Sequence, residues 1–337
     1  MSDLVLLTGI SGFIAKHVAL KLLGAGYAVR GTLRRLDRAD EVRAALAPHL
    51  PEGALGRLTF AACDLEADQG WDTAMAGVAA VVHTASPFPI TQPKDAADLI
   101  RPAVEGTLRV LRAAQTAGVA RVVLTSSTEA IMNPLKTGLH DESDWTDPAA
   151  ADSSPYRQSK VLAERAAWDF VAGPGAGMAL TVINPGFVMG PPLDGNYGSS
   201  VGVIARILQG RDPMMPDLGF NCVDVRDVAE MHLRALQRPE TAGRRYLAVA
   251  GSMTMVGMAR ALKAAFPARR IPTMQAPWPL LWLLGRFDPQ IRSILPMIGR
   301  REEASNARAR AEMGMQFIPL DQAVVAAGEW LIAHQSL

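Results

Sequence analysis

Two side chains four residues apart, Tyr156 and Lys160 in the string SPYRQSKVLAE, have the types and spacing for proton chemistry. A helix turns once every ~3.6 residues, so positions i and i+4 share one face. An ammonium beside a phenol favours the phenolate and is expected to lower its pKa. Such a pair can exchange a proton with a carbonyl oxygen near neutral pH. The same spacing is also common as plain surface pairing on helices, so the pair becomes specific only through its neighbours.

Three other segments are candidates for those neighbours. The apolar run Leu4–Thr8 is followed at once by Gly9-Ile10-Ser11-Gly12-Phe13-Ile14-Ala15, a G-x-x-G-x-x-A pattern that opens into a helix. Small residues let the backbone turn close to a pyrophosphate, and the helix N-terminus offers unpaired N–H groups. The plainer alternative is a tight turn with close helix packing. The second strand ends in Leu33-Arg34-Arg35, with Arg38 nearby and no acid before Asp37. An acid there would bind the 2′-hydroxyl of NAD, whereas a guanidinium suits the 2′-phosphate of NADP. NADP(H) is therefore expected in preference to NAD(H), with a solvated loop as the alternative. Asp64-Leu65 after the third strand could accept from an adenine amino group, or serve as a turn. Finally, Leu124-Thr125-Ser126-Ser127-Thr128 ends a strand, with Ser127 29 residues before Tyr156. A hydroxyl at such a strand end can donate to a carbonyl oxygen.

The elements that must position these groups read as an α/β chain. Strands are expected at Leu4–Thr8, Ala28–Leu33, Arg57–Cys63, Ala80–Thr84, Arg121–Ser126, Leu180–Ile183 and Tyr246–Ala250. Helices are expected at Phe13–Leu23, Asp95–Ala117 and Tyr156–Val171, the second regular only after Pro102. Alternation with near-continuous apolar strands predicts a Rossmann-type, doubly wound parallel sheet. The cofactor domain should span residues 1–186, with 220–250 returning to it. A smaller, mostly C-terminal substrate lobe should comprise 187–219 and 251–337.

Composition narrows the function. The 337 residues carry 34 Lys and Arg against 33 Asp and Glu, a net charge of +1, which implies no broad basic face for nucleic acid. Cys63 and Cys222 form no disulfide framework or metal spacing, so no metal is expected and a reducing, cytoplasmic setting is the simpler reading. The greasy segment Trp278–Leu284 is far short of the ~20 residues that span a bilayer. It reads as a buried or pocket-lining helix, and no membrane partner is expected. Arg300–Met313 reads as a solvated helix face.

The ordered set TGISGFIA, CDL, VVHTASP, LTSS, YRQSKVLAE, INPGFVMGPP and VDVRDVAEMH resembles the extended short-chain dehydrogenase/reductase superfamily over nearly the whole chain. GTLR at Gly31–Arg34 and HDESDWTD at His140–Asp147 are similar to its branch of dihydroflavonol 4-reductase, cinnamoyl-CoA reductase and NADPH-dependent aldehyde and ketone reductases. The resemblance implies a catalytic Ser127, Tyr156 as general acid in reduction and base in oxidation, and Lys160 on the nicotinamide ribose. It implies cofactor contacts at Gly9, Gly12, Phe13, Ile14, Arg34, Asp64, Leu65, Thr84, Ala85, Ser86, Lys160, Pro185 and Val188.

Two departures bear on substrate. Flavonoid reductases are expected to carry Asn five residues after the catalytic serine; here that residue is Met132, and Asn133 follows. The longer tyrosine signature of cinnamoyl-CoA reductases is replaced by SPYRQSK. A general NADPH-dependent reductase of small aldehydes and ketones, reversible as a secondary-alcohol dehydrogenase, is the leading expectation. Candidate pocket residues are Phe88, Met132, Met189, Tyr197, Met214 and Met215. A nucleotide-sugar epimerase or dehydratase and a non-catalytic NADP(H) sensor are the alternatives. No sequence feature decides between monomer and homodimer.

Overall fold

The computed structural model of the chain describes residues 3–86, 95–133, 136, 138–150 and 153–334. Its strands are β1 (Leu4–Thr8), β2 (Ala28–Leu33), β3 (Leu58–Ala62), β4 (Ala80–His83), β5 (Arg121–Thr125), β6 (Leu139–His140), β7 (Ala179–Pro185), β8 (Phe187–Met189), β9 (Gly219–Asp224), β10 (Arg244–Ala248), β11 (Gly251–Thr254) and β12 (Glu303–Ala304). Its α-helices are α1 (Phe13–Gly24), α2 (Ala39–Leu46), α3 (Trp71–Met75), α4 (Ala97–Thr116), α5 (Pro155–Ala172), α6 (Ser199–Gln209), α7 (Val225–Gln237), α8 (Met255–Ala265), α9 (Trp278–Leu284), α10 (Pro289–Ile294), α11 (Ala307–Met313) and α12 (Leu320–Ala333).

Seven strands form one sheet in the order β10-β7-β5-β4-β1-β2-β3, and every pairing in it is parallel. The period of two along each strand sorts the apolar side chains into two faces. Val5, Leu7, Val82, Val123 and Ile183 join a core shared with α1 and α7. Leu6, Val81, Val122, Leu124 and Val182 join another shared with α4 and α5. With both faces covered, the strands have no polar side, which is why they read as unbroken apolar runs. Strand order reverses between β1 and β4, and a crevice opens there at the carboxyl ends of the strands.

Beyond Pro185 a small sheet forms in the order β11-β9-β8. Helices α6, α8 and α12 pack on it and on one another. Their buried residues Val201, Met258 and Ala327 belong to the same cluster as Val5 and Leu7. The later part of the chain therefore shares one continuous core with the α1–α7 face of the large sheet.

Several expectations need correction. Helix α4 runs through Pro102 without a break. The proline lies in the second turn, so the one hydrogen bond it forfeits is to the first-turn carbonyl of Asp98. The last strand of the large sheet starts two residues earlier than expected, at Arg244 rather than Tyr246. Arg300–Met313 is not one solvated helix: β12 pairs with β6, α11 begins only at Ala307, and Ala309 and Met313 are fully buried. Tyr246 of β10 donates a hydrogen bond to Glu312 and ties that segment down. Trp278–Leu284 is not a buried helix either, since Leu281 alone of its residues is buried.

Gly31 shows how tightly β2 meets the first loop. A Cβ there would lie 2.5 to 2.8 Å from three side-chain atoms of Ile10, the branched Cβ among them. Gly31→Ala is expected to destabilise the protein by about 1–3 kcal/mol, measured as a lower urea midpoint with unchanged slope.

Candidate active site

The dinucleotide end of the crevice is built by β1, α1 and β4. Gly9 turns the chain out of β1 with φ of +66°, a region where a side chain is strained. A Cβ on it would sit 2.9 Å from the Cβ of Ala85. Gly12 caps α1, and its N–H donates to the Gly9 carbonyl at 2.9 Å. The next N–H groups, those of Phe13 and Ile14, have no acceptor among the described residues. They form a positive terminus with no acid in the first turn.

The hydroxyl of Thr8 fixes the facing strand end. It accepts from the N–H groups of Thr84 at 3.1 Å and Ala85 at 3.0 Å. Its own proton therefore points to Nδ1 of His83, 2.7 Å away. Burial and the Lys160 charge push His83 down to about 3, so the ring stays neutral.

Arg34 follows β2, exposed, with no hydrogen bond or ion pair to any described residue. Its neighbours are committed, Arg35 to Asp37 and Arg38 to Glu41. Asp64 accepts from the Glu66 N–H in a turn, and Leu65 packs near Gly106 of α4. Both lie just past β3 at the same rim. Pro185 ends β7, and Val188 in β8 accepts a hydrogen bond from Ser200 through its carbonyl.

The chemical end lies between β5, β4 and α5. Ser154 caps α5 by accepting from the Arg157 N–H, with Pro155 in its first turn. That start sets the helix phase and turns Tyr156 and Lys160 to the sheet. Ser127 follows β5, is 8% exposed, and shares a hydrogen bond with the Tyr156 hydroxyl. Lys160 donates to the Ser86 hydroxyl at 2.9 Å, and its Nζ lies 5.6 Å from the Tyr156 ring centre.

The protonation states differ from the simple expectation. Burial, with the Glu129 charge second, pushes Tyr156 up to about 12 against the lowering effect of Ser127. Lys160 does not depress it, because its ammonium is turned to Ser86, just past the end of β4. Burial in turn pushes Lys160 down to about 8. Tyr156 is therefore a protonated acid at neutral pH, beside a cation whose hydrogen-bond partner among the described residues is Ser86.

The contacts that hold these groups were not legible in the sequence. The Asn184 amide donates to the Ser127 carbonyl at 3.1 Å and to Glu164 at 2.7 Å. Glu164 pairs with Arg245 at 2.5 Å. Glu129 pairs with Arg157 at 2.6 Å. A strap from Pro191 to Gly198 crosses α1: Lys16 pairs with Asp194, His17 donates to the Pro191 carbonyl at 3.0 Å, and Asn196 donates to the Ser11 carbonyl at 2.7 Å. Lys16 and Asp194 are 178 residues apart, so no local spacing could reveal the strap.

The expected pocket residues divide. Phe88 lies outside the described residues. Met132, Met189 and Met215 are 1%, 0% and 1% exposed and packed as core. Tyr197 and Met214 are half-buried, and Tyr197 meets Trp330 edge-on. Cys63 and Cys222 are both buried free thiols. Among the described residues no group of three His, Cys, Asp or Glu side chains could hold a metal.

The model of one family, described as the NAD dependent epimerase/dehydratase family, matches residues 5–249. Ketoreductase azaE of Aspergillus niger is 32% identical over 342 residues, covering 95% of each chain. Cinnamoyl-CoA reductase 1 of Petunia hybrida is 37% identical over 278 residues, covering 80% of each. Among solved structures, yeast methylglyoxal/isovaleraldehyde reductase Gre2 complexed with NADPH superposes with a TM-score of 0.82 at 26% identity over 99% of each chain.

The strained ammonium gives a test of the site's electrostatics. In the ligand-free protein Lys160→Met should raise stability below pH 8, where folding keeps a charge that burial disfavours. The gain should fade between pH 8 and the ordinary lysine value of 10.5, since above it both states are neutral. Urea unfolding across that range reads the difference; a gain that grows with pH would contradict the assignment.

Proposed function

This chain belongs to the NAD dependent epimerase/dehydratase family, and from that premise we propose that it reduces an aldehyde or ketone to the alcohol with NADPH, reversibly, through Ser127, Tyr156 and Lys160. It is an NAD(P)-dependent oxidoreductase, as its reductase relatives are. The observation that carries the finer reading is the hydrogen-bonded Ser127–Tyr156 pair with Lys160 alongside, at the carboxyl ends of a parallel sheet whose first turn is a Gly9 cradle.

The residues fit a dinucleotide. Gly9 packs too close to Ala85 for any Cβ and so keeps the turn bare of side chains, the start of α1 offers free N–H groups, and the Arg34 guanidinium has no partner among the described residues. Phe13, Ile14 and Gly12 would hold the pyrophosphate, Arg34 the 2′-phosphate, and Asp64 and Leu65 the adenine. Thr84, Ala85, Ser86, Pro185 and Val188 would line the nicotinamide side. Bound NADPH supplies the hydride. Ser127 and Tyr156 then donate to the carbonyl oxygen as negative charge develops on it, and Tyr156 delivers the proton that completes the hydroxyl. Lys160 would exchange Ser86 for the ribose hydroxyls, and its charge so placed would favour the tyrosinate left after proton transfer. In oxidation the same groups run in reverse.

The arginine after β2 favours NADP(H) over NAD(H) and speaks against a sugar-nucleotide epimerase. The presence of both Tyr156 and Lys160 speaks against a sensor without chemistry. The substrate is a small-molecule carbonyl.

Purified protein, NADPH and a panel of aromatic and aliphatic aldehydes and ketones, followed by cofactor absorbance, test the reading; no consumption with any of them would refute it. Tyr156→Phe should lower kcat by about 10²–10⁴ while NADPH still binds, because only the donor is lost. Arg34→Glu should raise the KM for NADPH about tenfold or more and leave that for NADH nearly unchanged. Equal effects on the two cofactors would remove the 2′-phosphate assignment.

A further inference from the structure

Nine large apolar side chains stand exposed among the described residues, and seven of them lie between Met274 and Met297. This stretch contains α9 and α10, two short helices that pack on each other and little else. Both of its ends are rooted on one place. Met215 exchanges backbone hydrogen bonds with Met274 and Ala276, while Asp217 accepts from the Gly299 N–H and pairs with Arg301. The residues between project as a hairpin.

The projecting face is amphipathic in composition. Trp278, Trp282, Leu283, Leu284, Phe287 and Met297 are 41% to 82% exposed. The exposed arginines Arg270, Arg286 and Arg292 accompany them, and Arg300 and Arg301 lie at the root, Arg301 paired with Asp217. Between Arg270 and Arg301 the sole acid is Asp288, and its carboxylate is engaged in capping α10 through the N–H groups of Gln290 and Ile291. Arg286 lies over the Trp282 ring at 4.7 Å, so charge and aromatic surface are presented together.

We propose that this hairpin docks the protein on an anionic lipid surface. Indole, leucine and phenylalanine side chains settle at the headgroup–acyl boundary, and arginines beside them bind phosphates. Neither half is sufficient alone, but an apolar patch plus a cluster of cations supplies the two signals that peripheral binding needs. Charge selects this occupant over a second copy of the chain. A two-fold contact through the same face would set the exposed Arg286 and Arg292 of one copy against those of the other. Docking of this kind is peripheral: no helix among the described residues is long and apolar enough to cross a membrane. The proposal is independent of which carbonyl the enzyme reduces.

The test uses the full chain with vesicles of phosphatidylcholine alone or mixed equally with phosphatidylglycerol. Co-sedimentation with the mixed vesicles at low salt, a blue shift of tryptophan fluorescence, and release at high salt are expected. Phosphatidylcholine alone should retain little. Phe287→Ser with Leu284→Ser, and separately Arg286→Glu, should each weaken binding about tenfold, with folding and NADPH affinity unchanged. Failure of the wild-type chain to bind either vesicle, or unchanged binding by both variants, overturns the proposal. If wild-type vesicle binding is absent, a variant that raises the substrate KM instead assigns the face to a substrate lid. Under the same condition, a dimer in sedimentation velocity that the variants dissociate assigns it to a second copy.

Discussion

The ion pair between Glu164 and Arg245 holds the catalytic end of the molecule together. Its partners come from α5 and from β10 at the sheet edge, and their side chains are 0% and 7% exposed. Desolvating two charges is costly, so such a pair persists only when its remaining valences are used. Here they are. Glu164 also accepts from Asn184, which holds the Ser127 carbonyl. Arg245 donates to the carbonyls of Glu142 and Asp144 and stacks over Trp145 at 3.7 Å. One buried pair thus fixes the helix bearing Tyr156 and Lys160, the turn bearing Ser127, and the loop before α5. Removing one partner of such a pair typically costs ~3–5 kcal/mol, because it strands the other.

The two ends of the crevice are joined with similar economy. Thr8 sits at the end of β1, where the chain leaves for the glycine turn, and its hydroxyl gathers the N–H groups of Thr84 and Ala85. Ser86, next in line, holds Lys160. The dinucleotide loop and the lysine of the chemical end therefore meet on Thr84, Ala85 and Ser86, the three residues that follow β4. Burial sets the protonation of this junction: His83 neutral, Tyr156 protonated, Lys160 a weakened cation. A protonated phenol is the form that carbonyl reduction requires. A cation held among the described residues by one neutral hydroxyl is poised to take further acceptors such as ribose hydroxyls.

The later part of the chain departs from this order. Its core is continuous with that of the sheet, and the strap from Pro191 to Gly198 ties it across α1. The hairpin of α9 and α10 stands outside that core with its apolar side chains uncovered. The same chain thus joins a closely packed crevice at the carboxyl ends of the sheet to an outlying hairpin with exposed apolar side chains.

The sequence by itself determined the main strands of the sheet and the family to which the chain belongs. Apolar runs fixed β1, β2, β4 and β5 to within a residue, because strands buried on both faces admit few other patterns. Gly9, Ser127, Tyr156 and Lys160 were legible because a tight turn, a strand end and one helix face are local constraints. Tertiary structure decided what depends on distant partners. It drew Asn184, Glu164 and Arg245 together behind Ser127, and Lys16 to Asp194 across the first helix. It carried α4 through Pro102, because the proline lies too near the helix start to break it. It held the Tyr156 pKa high where adjacency to Lys160 suggested a low one, since an i+4 spacing sets proximity and only burial and partners set the field. It also left Trp278–Leu284 uncovered: a greasy run states what must be kept from water, and the fold around it decides whether the chain itself supplies the cover.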